Sequence, residues 1–421
     1  MCPLTPVLVH ASESASAGRF PLLLALALGC PAAEVTEMAP VGVGGINLAP
    51  AGDLRDLEHR FEFHPKALLG AGWDSTALVP PAGDGSADSN LRGLAGILVR
   101  YHPRPGLDGD LDAELERSVW RRNPELDTGA GLLRAGFDYR APALAWVGNV
   151  LWRRSQENLL TTGEQVSQDH QVLRTRVGHE GGRWWEEATA ALSRRDYRQG
   201  TASFDERQGD HTTGEIGLRF GLHNGSDRAF LGLRGETVRY VVDERFNDCH
   251  ALIVTAGGEF PVSDRSLLHV EAGVEARQYA DDYLGDPDND DQSVLAPWWD
   301  AGGTWSWQAG DRLEAHLYSD LADSLTSNAT WSLGASATSH IEITPRLAVE
   351  ASLDLSQNRD GGRGQASASA QRRIVEGSLA GQYALAEGLA LRLLTSATRV
   401  DASAGDSYDR LELSLDLAYA Y

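Results

Sequence analysis

The sequence predicts an all-β chain: a transmembrane, antiparallel, up-and-down β-barrel of about 18 strands with both termini periplasmic. Three observations predict it. Side chains alternate between apolar and polar along one segment after another from Phe61 to Tyr421. The connections between those segments alternate between short and long in strict order. No segment reads as a transmembrane helix: the longest apolar stretch, Pro21 to Cys30, stands in a chain of 421 residues that is 42% hydrophobic with mean hydropathy −0.30.

The elements follow in order, each defined by the apolar residues that share a face. The first carries Phe61, Phe63, Ala67, Leu69, Ala71 and Trp73, and the second Leu91, Ala95, Ile97, Val99 and Tyr101. Next come Leu111, Ala113, Leu115 and Val119; Leu133, Ala135, Phe137 and Tyr139; and Leu144, Trp146, Val150 and Trp152. Leu173, Thr175 and Val177 mark the sixth, Trp184, Ala188, Ala190 and Leu192 the seventh, and Ile216, Leu218, Phe220 and Leu222 the eighth. Leu231, Leu233 and Gly235 precede Leu252, Val254, Ala256 and Phe260, then Leu268, Val270, Ala272, Val274 and Ala276. Trp299, Ala301, Gly303, Trp305 and Trp307 join Leu313, Ala315, Leu317 and Leu321 through Ala309-Gly310-Asp311. Trp331, Leu333, Ala335, Ala337, Ile341 and Ile343 join Leu347, Val349, Ala351, Leu353 and Leu355 across Thr344-Pro345-Arg346. Val375, Leu379, Tyr383 and Leu385 turn at Glu387-Gly388 into Leu389, Leu391 and Leu393.

The eighteenth element is the clearest. Leu411, Leu413, Leu415, Leu417, Tyr419 and Tyr421 lie on one face, and Glu412, Ser414, Asp416, Ala418 and Ala420 on the other. A strand crosses a bilayer in ~9–11 tilted residues whose side chains face lipid and lumen in turn. This segment meets both conditions.

Turn residues mark the short connections: Arg104-Pro105-Gly106, Ala141-Pro142, Gly181-Gly182, Asn224-Gly225-Ser226-Asp227 and Ser263-Asp264-Arg265. The long ones include Asp74 to Asp88, Ser155 to Val166, Asp196 to Gly209, Asp281 to Gln292 and Asn358 to Ala370. Nine long and eight short connections put both chain ends on the short-turn side, the periplasmic one. Aromatics agree in depth. Trp73, Trp120, Trp152, Trp298, Trp299 and Trp331 form an expected outer girdle, and Trp146, Trp184, Trp305, Trp307, Tyr383, Tyr419 and Tyr421 an inner one.

Ahead of the barrel, residues 1–33 read as a signal peptide: Arg19, then the apolar run Pro21 to Gly29, then Cys30-Pro31-Ala32-Ala33. The stretch Met1 to Gly18 is long for such a leader, which suggests a start codon downstream of Met1. Cleavage is expected near Ala32 or Ala33; Gly29-Cys30 is the alternative, a lipoprotein site. Either way Cys249 is left without an internal disulfide partner. Residues 34–60 form an acidic, poorly patterned lead, a periplasmic tether or a small plug, and 61–421 the barrel.

The formal charge is −23, from 60 acids against 37 bases, of which Lys66 is the one lysine. That excess disfavours nucleic acid as a partner.

The leader, the alternating connections and the ending Leu415-Asp416-Leu417-Ala418-Tyr419-Ala420-Tyr421 resemble Gram-negative outer-membrane β-barrel proteins of the porin type. Phe63-His64-Pro65-Lys66-Ala67-Leu68-Leu69-Gly70-Ala71-Gly72-Trp73-Asp74-Ser75 and Ile343-Thr344-Pro345-Arg346-Leu347 resemble that family's first strand and a periplasmic turn. The likeness covers the mature chain and rests on patterning. Tyr421 stands where such families most often end in Phe. The resemblance implies the cell outer membrane as location, its lipid and lipopolysaccharide as surroundings, and recognition of the C-terminal strand by the barrel-assembly machinery.

Function should reside on the opposite parity, which assigns arginines and acids to the lumen. The pore-lining candidates are Arg92, Arg100, Glu114, Glu116, Arg134, Asp138, Arg174, Arg176, Arg219, Arg234, Glu236, Glu271, Glu275, Glu314, Glu350, Asp354, Arg392, Glu412 and Asp416. Asp112, Arg140, Glu215 and Arg277 share that parity. Charges are costly against lipid and comfortable in water, so the interior is expected to be wet and lined by many cross-strand ion pairs. A barrel of ~16–18 strands is wide enough for an aqueous channel. Passive diffusion of small polar solutes is the reading this favours. The alternatives are an exporter of acidic exopolysaccharide, escorted by the arginines, and a structural or adhesive surface barrel with a plugged lumen.

No enzyme, cofactor or metal site is expected. His170, His179, His211, His223, His250, His269, His316 and His340 are scattered, with no nucleophile elbow or metal-ligand pair. Val41-Gly42-Val43-Gly44-Gly45 and Asp360-Gly361-Gly362-Arg363-Gly364 read as linker and loop. Asp281, Asp282, Asp286, Asp288, Asp290 and Asp291 crowd one external loop without the regular spacing of a calcium site.

Overall fold

The computed structural model describes residues 61–78, 86–104, 106–123, 127–158, 165–198, 209–241, 248–280, 293–308, 310–322, 329–361, 371–403 and 407–420. They form eighteen strands. In chain order these are β1 (Phe61–Leu78), β2 (Ser86–Arg104), β3 (Leu107–Trp120), β4 (Thr128–Ala141), β5 (Leu144–Asn158), β6 (Gln165–Gly181), β7 (Trp184–Tyr197), β8 (His211–Asn224) and β9 (Asp227–Tyr240). The remainder are β10 (Cys249–Ser263), β11 (Ser266–Tyr279), β12 (Ser293–Trp305), β13 (Arg312–Ala322), β14 (Ala329–Thr344), β15 (Leu347–Gly361), β16 (Gln371–Ala386), β17 (Leu389–Ala402) and β18 (Tyr408–Ala420). The signal peptide and lead expected at 1–60, the acidic loop at 281–292 and Tyr421 lie outside the described residues.

Each strand pairs antiparallel with its neighbours in sequence, and β1 pairs with both β2 and β18, so the sheet closes on itself. Closure leaves no row of unpaired backbone groups. At the seam Gly70 lies between Asp416 on β18 and Arg92 on β2.

The wall is inside out relative to a soluble protein. On β18, Leu411, Leu413, Leu415, Leu417 and Tyr419 are exposed, whereas Ser414, Asp416, Ala418 and Ala420 are buried. On β1 the contrast falls between neighbours: Leu68 is 4% exposed and Leu69 69%. Exposed leucines, valines and isoleucines recur around the outer surface, from Leu91 and Leu115 through Leu231 and Leu295 to Leu393. Such a continuous apolar surface is a membrane interface, where each large side chain gains about 1.5–3 kcal/mol by leaving water. A closed wall with hydrocarbon outside and charge inside spans a bilayer.

The strands are longer than a crossing needs. They run from 11 residues in β13 to 19 in β2, against ~9–11 for the hydrocarbon alone. Accordingly the connections expected at 74–88 and 155–166 are trimmed from both sides, with β1 reaching Leu78 and β5 Asn158, and that expected at 358–370 from one side, with β15 reaching Gly361. Backbone pairing needs no apolar side chain, so ladders such as Asn158 with Gln165 and Thr330 with Asp360 continue where the sequence alternation has faded. Three outward placements are also corrected. Trp298 and Trp120 share the inner face, opposite Gly273 and beside Asn90, and Leu321 is buried at the end of β13.

The short connections gather at one end of the barrel. Gly225 and Gly388 take left-handed φ of 69° and 70° there, which glycine adopts without strain.

Candidate functional site

The strand register carries the inner face from one strand to the next, and most of the charge of the wall lies on it; outward pairs such as Arg154–Asp169, Arg194–Asp196 and Arg399–Asp401 stand near strand ends. Three sectors differ in how that charge is held.

The first spans the seam. Arg92 donates through Nε to Asp416 Oδ1 at 2.9 Å and through a terminal nitrogen to Ser414 Oγ at 2.9 Å. Glu116 lies within reach of the Arg92 charge, and Arg392 faces Asp416 from β17. Lys66 Nζ sits 2.8 Å from Asp112 and 2.8 Å from Glu114. Arg410 bridges Asp74 and Glu412, both at 2.6 Å, and Ser396 donates to Glu412 at 3.0 Å. Further round, Arg134 lies 3.5 Å from Asp112, Arg140 2.7 Å from Asp138, and Arg100 3.9 Å from Glu62.

In the second sector, from β6 to β12, Arg176 and Arg219 share Glu187 at 3.6 and 3.8 Å. Arg219 also binds Glu271 at 2.5 Å, and the Thr255 hydroxyl donates to the other Glu271 oxygen at 2.5 Å. Arg277 is 2.8 Å from Glu275 and 3.6 Å from Glu236. Asp300 is held between His269 Nε2 at 3.2 Å and His316 Nε2 at 2.5 Å. Aromatic rings lie on this charged wall. The Arg219 guanidinium sits 4.8 Å from the Phe230 ring centroid and that of Arg234 5.3 Å from Trp298, while Trp185 meets Phe230 edge-on at 5.7 Å. Glycines make room for them: a Cβ at Gly221 would meet the Trp185 indole at 2.4 Å, and one at Gly257 the Phe230 ring at 2.8 Å.

The third sector, β13 to β17, is acidic. Asp354 faces Glu376 directly across β15 and β16, and Thr398 donates to Glu376 at 3.2 Å. Glu314 pairs with Arg312. Glu350 and Asp354 form no hydrogen bond or ion pair among the described residues, and the same holds for Arg153 and Arg174 on β5 and β6. β6 and β15 lie half-way round the ring from each other. Unpaired positive and negative groups therefore face one another across the interior.

All nineteen residues singled out from the sequence lie on this inner face. The aromatic part of this face and several of its charges are not among those nineteen. Lys66, Asp300 and Asp320 sit on parities that place them inside, and adjacent pairs carried the aromatic signal. Of Trp184-Trp185 and Trp298-Trp299 only one member can face lipid, and Trp185 and Trp298 share the parity of the inward Glu187 and Asp300.

No family model and no curated protein matches the sequence. Solved structures resemble it in architecture. The ferric citrate transporter FecA in its unliganded form is 9% identical, with a TM-score of 0.43 over 81% of this chain, which spans 60% of FecA. The alcaligin outer membrane receptor FauA of Bordetella pertussis is 12% identical, with a TM-score of 0.40 over 88% of this chain and 76% of FauA. OccK2 (OpdF) of Pseudomonas aeruginosa is 10% identical, with a TM-score of 0.44 over 86% of this chain and 98% of OccK2. With scores this low, the functional reading rests on the chain's own barrel.

Proposed function

We propose that the protein is an outer-membrane channel through which small polar solutes diffuse passively, with both chain ends in the periplasm. The observation that carries this reading is the reversal of polarity across the wall: Leu69 and Leu415 outside, the Arg92–Asp416 and Arg219–Glu271 pairs inside. Charges lining a closed ring of eighteen strands keep its interior wetted, which a diffusing polar solute requires. Unpaired Arg153 and Arg174 opposite Glu350 and Asp354 leave a field across the path that acts on charged solutes. On this reading the belt meets lipid and lipopolysaccharide, the closing strand β18 is what the barrel-assembly machinery engages, and no enzymatic step is involved.

The protein refolded into a planar bilayer is expected to give discrete, ohmic current steps in potassium chloride. A correctly folded preparation that passes no current contradicts the channel reading and leaves a plugged surface barrel in its place.

A further inference from the structure

The inner wall between β9 and β13 carries three polar groups that leave one another unsatisfied. Asp320 and Trp298 are each 3% exposed. Neither carboxylate oxygen of Asp320, nor Trp298 Nε1, nor Arg234 Nε has a hydrogen-bond partner among the described residues. Arg234 lies with its guanidinium over the Trp298 ring, 5.3 Å from the centroid. The neighbouring cation does not serve Asp320, because Arg277 is bound to Glu275 at 2.8 Å. Arg234 and Arg277 act on Asp320 only through space, opposed by Glu275 and Glu236.

Buried polar groups are nearly always bonded, so an orphan acceptor beside orphan donors is unusual. Trp299 on β12 pairs with Ser319 on β13, which sets Asp320 beside Trp298, while Arg234 lies over the indole from β9. A simple cation would satisfy Asp320 and leave Arg234 and Trp298 without an acceptor; a simple anion would do the reverse. One molecule carrying an ammonium and a carboxylate meets both requirements. We propose that Asp320, Trp298 and Arg234 form a binding site for a zwitterionic solute of the amino-acid class. Its ammonium donates to Asp320, its carboxylate accepts from Arg234 and from the Trp298 N–H, and its carbon frame rests on the indole. Arg234 and Glu236 are only partly buried, so the site opens toward the interior through them. The proposal deepens the channel reading and rests on it for access from solution.

Equilibrium dialysis of the full barrel in detergent, with radiolabelled glycine, β-alanine and γ-aminobutyrate, tests it. Ethanolamine and glycolate serve as single-charge controls. At least one of the three zwitterions is expected to bind saturably, and Asp320→Asn and Arg234→Gln each to weaken that binding about tenfold or more. Absence of saturable binding, equal binding of ethanolamine or glycolate, or unchanged affinity in both variants overturns the site. Where a variant loses heat-modifiable migration and so has not folded, the five probes on the unaltered protein decide. Potassium chloride conductance of the same preparations reads the channel independently, so loss of the site and loss of the pore are told apart.

Discussion

Arg92 on β2 and Asp416 on β18 bond across the intervening strand β1, passing over Gly70. The pair ties the second strand of the barrel to the last one at the place where the sheet closes. Asp416 is fully buried there and Arg92 nearly so. Removing one partner strands the other in a dry environment, which costs about 3–5 kcal/mol for a buried pair. Asp416→Ala is therefore expected to lower the urea midpoint for unfolding from lipid vesicles. The double variant Arg92→Ala/Asp416→Ala should recover part of that loss, because no lone charge remains. Equal and additive losses in the two single variants contradict the pairing.

Gly70 is predicted to matter for the same reason. A Cβ placed on it would lie 1.9 Å from Asp416 Oδ1 and 3.2 Å from Arg92 Nε. Gly70→Val should displace the carboxylate and reduce the folded fraction as far as Asp416→Ala does. Combined, the two substitutions should add little, since both remove the same contact. Measurement of folded fraction by heat-modifiable gel migration in the three variants checks this.

The outer belt makes a prediction of opposite chemistry. Arginine in place of Leu415 or Leu391 puts a charge into hydrocarbon and should cost about 2–4 kcal/mol if the site lies near the bilayer midplane. The same change at the inward-facing Ser414 should cost less, because the polar wall there, with the Asp416 carboxylate two residues on, can accept a cation that hydrocarbon cannot. Vesicle unfolding titrations of the three variants give the comparison, and equal costs at Leu415 and Ser414 contradict the assignment of faces.

Ion selectivity follows from the unpaired groups. A unit charge about 10 Å from a passing ion in water is worth about 0.4 kcal/mol, or roughly a twofold change in permeability ratio. Arg153→Gln with Arg174→Gln should shift the reversal potential in a potassium chloride gradient toward greater cation preference. Glu350→Gln with Asp354→Asn should shift it the other way. Shifts of the same sign in both variants contradict the facing arrangement.

Most of this architecture is legible in the chain because a barrel wall obeys a period of two with little else to satisfy. Leu411 to Tyr421 shows it over a whole strand, and the hairpin at Glu387-Gly388 shows where one strand ends and the next begins. Legibility fails where the lipid no longer selects. Between Asp74 and Asp88 the alternation breaks off, yet the β1–β2 ladder runs on to Leu78 and Ser86, because hydrogen bonds between main chains hold it. It fails again inside the lumen, where parity alone assigns a face but not a partner. Arg92 could as readily have been matched with Ser118, its neighbour on β3, as with Asp416, which lies two strands away across a glycine. The inward Trp185 and Phe230 were hidden for a related reason: an aromatic residue in a membrane barrel suggests the lipid interface, whereas strand parity and the glycines at 221 and 257 that make room for the rings mark them as interior.

Alternate residues of one wall face hydrocarbon and the interior, and site-directed spin labelling along β18 measures that directly. Single cysteines from Leu411 to Ala420, introduced with Cys249 replaced by serine and read in lipid vesicles, each report collision with oxygen and with a water-soluble nickel chelate. Labels at 411, 413, 415, 417 and 419 should favour oxygen, and those at 412, 414, 416, 418 and 420 should be shielded from it and, where accessible, favour the chelate. A profile without a two-residue period, or one with the parities exchanged, contradicts the account.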